Sequence, residues 1–514
     1  MKNVLVLLML LVCRQSVLSA QSVYLDNTFG LGGTVTTNFY GWDYCTDMAI
    51  QNDGKIVLIG FSDANVIPSE NFLVARYTED GFPDSSFSQD GFDTTGLNNY
   101  LDEPSVIAIQ PDGKIVLSGK SYNLNSDMFF GTVRYNTDGT LDSSFGAGGK
   151  VSTLAGNSFM KCEAVDFGPG GKIIIGGQLL MSTYDAIVIR YNSDGSPDSS
   201  FGGTGIVIPS LPDRQIFWSL AYQPDGKILA GGWSGTSVGL GGYPGGFFMM
   251  RFDSAGTLDS SFNGNGIMLD TIAGVNAPSM ILQPDGKIIL GGTGRFQSNN
   301  HFALARYLPD GSPDSTFGLF GRVLTIIGNA SSGIADIALQ PDGKILAAGN
   351  ASNWWNNFIL VRYNSDGSID SSFGMSGVIR NPIGPSTNNV ASVSVQPSGK
   401  IVIAGWSYLN MNPDFSMLRY DQNIAASTTL LTPGNPGIKI FPNPSFGNAW
   451  IHLESNPAEK HWMTVYNSMG KRFFTTTFVG NEYQLRENLS AGMYMVSITD
   501  DAGRLIYSAR FIKE

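Results

Sequence analysis

Leu25-Asp26-Asn27-Thr28-Phe29-Gly30 stands near the start of the chain, and its pattern returns six more times in company that it lacks at its first appearance. The pattern Asp-x-[Ser/Thr]-Phe begins at Asp26, Asp84, Asp142, Asp198, Asp259, Asp314 and Asp370. From the second occurrence onward two other markers precede it. One is Gln-Pro-Asp-Gly-Lys or a close variant, with its glycine at Gly54, Gly113, Gly171, Gly226, Gly286, Gly343 and Gly399, at intervals of 59, 58, 55, 60, 57 and 56. The other is Arg followed by Tyr or Phe, at Arg76, Arg134, Arg190, Arg251, Arg306, Arg362 and Arg419. Every marker counts seven, yet the first Asp-x-Thr-Phe has no predecessors and Arg419 has no successor. Joining those two ends completes a seventh unit and leaves no sheet with an incomplete edge. An open solenoid would gain nothing from this permutation.

Each period holds four β signals bounded by turn residues, for example residues 106–110, 114–119, 129–135 and 142–151, here strands A to D. Pro-Asp-Gly between A and B, and Asp-Gly between C and D, favour tight turns because glycine accepts positive φ. Strand C, as in Phe72-Leu73-Val74-Ala75, is apolar on both alternating faces and must be covered on both sides. Stacked blades give that cover. The expected fold is all-β: a seven-bladed β-propeller of four-stranded blades at residues 22–421, closed by the N-terminal strand. A linker at 422–437 and a small C-terminal β-sandwich at 438–514 follow, the latter with about seven short β signals.

The composition agrees, with 63 glycines and 14% charged residues. Residues 1–20 read as an export signal, with Lys2, an apolar run over 4–12 and the small pair Ser19-Ala20. The run is too short to span a bilayer and no later segment is long enough, so no transmembrane segment is expected in the mature chain. Loss of Lys2 and Arg14 with the signal takes the formal charge from −12 to −14, which opposes binding to nucleic acid. Cys45 and Cys162 occupy equivalent places two blades apart, on the order of 15 Å, so two free buried thiols are expected.

The repeat markers resemble the delta-60 repeat family of bacterial secreted propellers over about residues 25–421. Ile440-Phe441-Pro442-Asn443-Pro444, Val465-Tyr466-Asn467-Ser468-Met469-Gly470, Leu489-Ser490-Ala491-Gly492-Met493-Tyr494 and the closing Phe511-Ile512-Lys513 resemble the C-terminal sorting domain of type IX secretion cargo. That resemblance implies recognition by the type IX machinery and a secreted or outer cell-surface location. The repeat family supplies no catalytic residues.

In six units the Asp marker follows the Arg marker by eight residues, which suggests structural pairs bracing the C-to-D hairpin: Arg76–Asp84, Arg134–Asp142, Arg190–Asp198, Arg251–Asp259, Arg306–Asp314 and Arg362–Asp370. Ring closure then pairs Arg419 with Asp26. Loops such as Asn192-Ser193-Asp194-Gly195 have too few acids for a calcium loop, and His301, His452 and His461 are too scattered for zinc. No metal or cofactor is expected. No Gly-x-Ser-x-Gly elbow or phosphate loop occurs, and no catalytic residue is assigned; two distant acids acting on a polysaccharide stay open as an alternative.

The A–B and C–D turns open on one face of the disc and the longer, variable B–C and D–A connections on the other. All six propeller tryptophans, Trp42, Trp218, Trp233, Trp354, Trp355 and Trp406, lie in or beside the variable connections, as do Tyr243 and Tyr408. Trp354, Trp355, Trp42, Tyr243, Trp406 and Tyr408 are the candidate binding residues. Trp354 and Trp355 stand out because neighbours on an extended segment point opposite ways. Aromatic rings among Asn, Ser and Gly suit an extracellular glycan or a protein surface. A surface scaffold with no dedicated ligand is the bland alternative.

Overall fold

The computed structural model describes residues 23–422 and 438–513, except 40, 64–70, 99–100, 155–159, 181–183, 210–213, 236–244, 271–275, 297–298, 329–330, 354, 382, 384–386, 410–411, 442–448, 454–459, 468–471, 486–488, 490–491 and 500–504. The chain divides into two compact units, Met1–Gln422 and Asn423–Glu514. The signal and linker expected at 1–20 and 422–437 lie outside the described residues, apart from Gln422.

The first unit is seven antiparallel sheets arranged as blades. Blade 1 runs Trp42–Ile50, Ile56–Asp63, Phe72–Tyr77 and Phe92–Thr95 from strand A to strand D. Its A–B turn follows the repeat chemistry: Gln51 N donates to Lys55 O at 2.8 Å, Gly54 N donates to Gln51 O at 2.9 Å, and Gly54 takes φ +84°. Every residue of the Phe72–Tyr77 strand is buried, as its two-sided apolar pattern requires. The core is accordingly built between blades. Leu58, Leu73 and Ala75 of blade 1 pack with Val402, Ala404 and Phe415 of blade 7, and Val57, Ile59 and Val74 pack with Ile115 and Leu117 of blade 2.

Blade 7 comprises Asn388–Val395, Ile401–Leu409 and Asn412–Asp421, and the N-terminus completes it. Thr34–Thr37 pairs antiparallel with residues 415–418, and Tyr24–Leu25 pairs with Asp421 and Tyr420. The A strands of successive blades pack side by side, and that of blade 7 packs beside Trp42–Ile50, which closes the ring.

Strand D departs from expectation. In blade 2 it covers Lys150–Thr153 and not the stretch from Asp142. Asp142 Oδ1 instead accepts from Ser144 N at 3.1 Å and Ser144 Oγ at 2.6 Å, and Phe145 N donates to Asp142 O, so the marker is a tight turn. The turn drops Phe145 into the inter-blade core.

In the second unit, Ile438–Phe441, Ala449–Leu453 and Glu482–Leu485 form one sheet. Lys460–Asn467, Arg472–Val479, Gly492–Thr499 and Leu505–Lys513 form another. Ile451 and Leu453 of the first share an apolar core with Met463, Val465, Val496 and Ile498 of the second.

Candidate functional site

The rim of the propeller carries seven copies of one charged staple. Arg76 Nε donates to Asp84 Oδ2 at 2.8 Å, and the same bond joins Arg134 to Asp142, Arg190 to Asp198, Arg251 to Asp259, Arg306 to Asp314 and Arg362 to Asp370 at 2.7 to 2.8 Å. Arg419 Nε donates to Asp26 Oδ2 at 2.8 Å across the ring-closure seam. Each guanidinium lies over the Phe of the marker turn, from Arg362 over Phe373 at 4.3 Å to Arg76 over Phe87 at 4.8 Å. Its Nη1 then reaches the next blade, as from Arg134 to Ser193 O at 2.6 Å and from Arg190 to Ser254 O at 2.6 Å. The lysine of each A–B turn is a third partner, as in Lys55 with Asp84 at 3.1 Å and Lys400 with Asp26 at 2.9 Å. Sequence reasoning overlooked these lysines, although Lys55, Lys114, Lys172, Lys227, Lys287, Lys344 and Lys400 recur at one place in the repeat.

Burial alone would raise the rim carboxyls, but hydrogen bonds from Ser86 and Lys55, with the charge of Arg76, bring Asp84 down to about 2. Asp142, Asp198, Asp259 and Asp314 are held lower still by the same kinds of partner. With both carboxylate oxygens occupied and the arginines reaching across to the next turn, these staples join neighbouring blades.

A second polar system surrounds the axis. Strand A is the inner edge of each blade, and every A strand carries a register shift, at Cys45/Asp47 in blade 1 and Ile334/Asp336 in blade 6, for example. In blades 1, 5 and 6 the residue after the shift, Asp47, Ser279 or Asp336, accepts from an edge amide of the following blade, whereas Val106 and Ala164 hold that place in blades 2 and 3. Asp47 Oδ2 accepts from Ile107 N at 3.0 Å, and Asp336 Oδ2 accepts from Val393 N and Ser392 Oγ, both at 2.9 Å. Asp336 Oδ1 accepts from Ser279 Oγ and Ile337 N, both at 2.8 Å. Burial, then the charge of Asp336, pushes Asp47 up to about 7. The charges of these two buried acids meet near the axis, and their oxygens accept from backbone amides and serines. Among the described residues no group of three or more His, Cys, Asp or Glu is placed to hold a metal. Cys45 and Cys162 are free and buried, and burial pushes Cys162 up to about 12.

The tryptophan and tyrosine candidates separate. Trp354 and Tyr243 lie outside the described residues, and Trp355 begins a strand whose register places it opposite Asn353. Trp42, Trp406 and Tyr408 fall on the two blades that meet at the seam. Trp406 touches Tyr408 edge-to-face at 5.7 Å between ring centroids, and touches Tyr44 of blade 1 edge-to-face at 5.3 Å. Tyr44 touches its cross-strand partner Phe61 at 5.3 Å. All four rings are half-buried. Trp42 precedes Tyr44 by two residues, hence shares its strand face, and is 42% exposed. Polar residues lie across the strand from these rings, Asn389 beside Trp406 and Asp63 beside Trp42. The result is an aromatic platform crossing from the closing blade to the first. Tyr44 and Phe61 were missed because neither stands out within one repeat; only ring closure brings them to Trp406.

A family model described as a domain of unknown function (DUF5122) beta-propeller matches residues 51–87, 110–145, 169–201, 223–262, 283–317, 340–373 and 396–423. A second, described as a secretion system C-terminal sorting domain, matches residues 439–514. No curated protein matches the chain. Among solved structures it is similar to PorZ, a surface component of the type-IX secretion system of Porphyromonas gingivalis, at 13% identity and a TM-score of 0.42, covering 91% of this chain and 59% of that one. It is also similar to a PL25 ulvan lyase (10% identity, TM-score 0.31, 87% and 96% covered) and to a GH43_1 enzyme from Xanthomonas citri (12%, 0.27, 51% and 87%). Likenesses at these TM-scores carry no argument about ligand or activity. The family matches do: this chain is a DUF5122 β-propeller of seven repeats ending in a type IX secretion sorting domain, which directs it to the cell exterior or the outer surface.

Proposed function

We propose that the propeller is an extracellular binding module that takes a glycan chain on the aromatic platform of its variable-loop face. The observation that carries this reading is the exposed Trp42 beside the continuous row Tyr408, Trp406, Tyr44 and Phe61. Aromatic rings cover the apolar faces of pyranoses, while Asn389 and Asp63 are positioned to hydrogen-bond hydroxyls. Covering the exposed part of Trp42, roughly 100 Å², contributes about 2.5 kcal/mol at about 25 cal/mol/Å². That suits a module of modest affinity per sugar, strengthened by repeated contacts along a chain. Export by the type IX route delivers the module to where such polymers are found.

The test is a glycan-array screen of the mature protein followed by calorimetry on each hit with Trp42→Ala and Tyr408→Ala. Both variants are expected to keep the wild-type melting temperature and to lose most of the affinity. Hits that bind both variants as tightly as wild type would place the ligand elsewhere.

A further inference from the structure

The face opposite the variable loops carries the C-to-D connections, and along its rim the repeat is broken over four consecutive blades. Leu319 and Phe320 of blade 5, Met375 of blade 6, Leu31 of the turn that completes blade 7 and Phe82 of blade 1 are 53% to 88% exposed. Among the described residues the same turns of blades 2 to 4 expose no large apolar side chain. Their tips are Ala147 and Gly148, Gly203 and Thr204, and Gly264 and Asn265, while Thr140, Ser196 and Thr257 stand where blade 1 has Phe82. Backbone bonds tie the turns across blade boundaries: Gly318 N donates to Asp366 O at 2.7 Å, and Gly30 N donates to Asp80 O at 2.8 Å, which fixes the Leu31 tip against the turn that carries Phe82. Phe320 takes φ +53° at the place that Gly32 and Gly148 hold in blades 7 and 2. That left-handed conformation disfavours a bulky side chain, and a ring left largely in solvent recovers nothing for it within one copy.

We infer that this sector is where a second copy of the chain docks, face to face, about a two-fold axis between blades 6 and 7. The order of side chains around the rim decides the partner. From blade 5 to blade 1 it runs Phe320, Met375, Leu31, Phe82, an aromatic at each end and a flexible aliphatic pair between. A two-fold through its middle sets Phe320 of one copy opposite Phe82 of the other, and Met375 opposite Leu31, so the surface is complementary to itself. A lipid surface or an unrelated protein asks for no such palindrome. At about 200 Å² for a large apolar residue, the exposed side chains bring on the order of 700 Å² from each copy, and two copies together fall within the roughly 1,200–2,000 Å² of a specific interface. The variable-loop faces then point away from each other, and the dimer presents its two platforms on opposite sides, where it holds two polymer chains at once. The docking stands without the glycan reading of the platform; only the bridging of two chains rests on it.

Analytical ultracentrifugation of the full mature chain over a range of concentrations is expected to show twice the chain mass, falling to the single mass on dilution. Phe320→Asp and Phe82→Lys should each weaken the dimer by about tenfold or more, because each sets an unpaired charge in an apolar contact. Combined in one chain they should restore much of the loss, since each Asp then meets a Lys of the other copy. Phe320→Gly suits the backbone of the turn and is expected to weaken the dimer as Phe320→Asp does, which keeps the test open if a charged variant folds poorly. A single mass at every concentration, a dimer that none of these variants weakens, or a double variant no tighter than either parent would overturn the inference. Flotation of the single-mass chain with neutral phosphatidylcholine vesicles, lost in Phe320→Gly, would overturn it too and reassign the sector to a lipid surface. None of these readouts involves a saccharide, so failure here leaves the platform reading standing.

Discussion

Asp26→Asn keeps the shape of the ring-closing clasp and removes its charge. In the folded chain Asp26 Oδ2 receives Arg419 Nε at 2.8 Å and Lys400 Nζ at 2.9 Å, and Oδ1 receives Thr28 N at 3.0 Å and Thr28 Oγ1 at 2.7 Å. Burial opposes the charged form, but Thr28, Lys400 and Arg419 outweigh it and bring the pKa from 3.8 to about 2. A gap of roughly two units corresponds to about 2.5 kcal/mol of folding stability. Removing one partner of a buried pair costs about 3–5 kcal/mol, an upper figure here because the Arg419 side chain, 0% exposed, keeps its charge with the exposed Asp80 carboxylate still beside it at 2.9 Å. The two routes bracket a loss of about 2–5 kcal/mol. Because the folded pKa is lowered, this contribution is present in full above the unfolded pKa near 4 and disappears as pH falls toward 2. Scanning calorimetry of wild type and variant at neutral pH and at decreasing pH reads both effects. Equal melting temperatures at neutral pH, or a gap undiminished near pH 2, would refute the assignment of Asp26 as the charged clasp of the ring.

Asp47 carries the opposite pH signature. Its folded pKa of about 7 lies above the unfolded value, so its contribution is most favourable below about pH 4 and is lost as pH rises toward 7; an Asp47→Asn variant should flatten the stability–pH curve between those limits. Gly168 occupies the repeat position elsewhere filled by Gln, and a Cβ there would lie 2.3 Å from the Tyr222 ring, so Gly168→Ala should cost about 1–3 kcal/mol in urea unfolding. Cys45 and Cys162 should resist a thiol reagent in the native protein and react in full once it is unfolded. Deleting residues 438–514 should leave the propeller on the inner side of the outer membrane, as fractionation and immunoblotting would show; normal export without the tail would contradict its assignment.

Blade number and closure were legible because three markers with different physical duties recur in register. The turn glycines need positive φ, the rim arginines need a carboxylate, and the marker Phe fills the space beneath the guanidinium. A repeat must keep all three wherever it keeps a blade. The D strand was placed too early because Asp-Ser-Ser-Phe, flanked by apolar residues, resembles a strand until the Asp side chain is seen to bond the amide two residues on. The axial caps could not be read at all, since a register shift leaves no mark in composition and Asp47, Ser279, Asp336 and Ser392 differ from blade to blade. The platform was half legible. Trp42, Trp406 and Tyr408 are conspicuous, but their relation to Tyr44 and Phe61 depends on a contact between residues more than three hundred positions apart.

In a ring of near-identical blades, whatever the repeat holds constant is accounted for by the repeat itself. The seven Arg–Asp–Lys staples answer the same structural need seven times, and a ligand with no sevenfold symmetry gains nothing from them. Selective binding requires a place where the pattern breaks. The break is at the seam, where one blade is assembled from both ends of the propeller and where half-buried rings touch across two blades. It follows that loosening the clasp should weaken ligand binding before the rest of the propeller unfolds, since Tyr44 and Trp406 stay in contact only while the two blades are held together. Asp26→Asn should therefore lower affinity at temperatures below its melting transition, whereas Asp198→Asn, an equivalent change far from the seam, should lower stability and leave affinity unchanged.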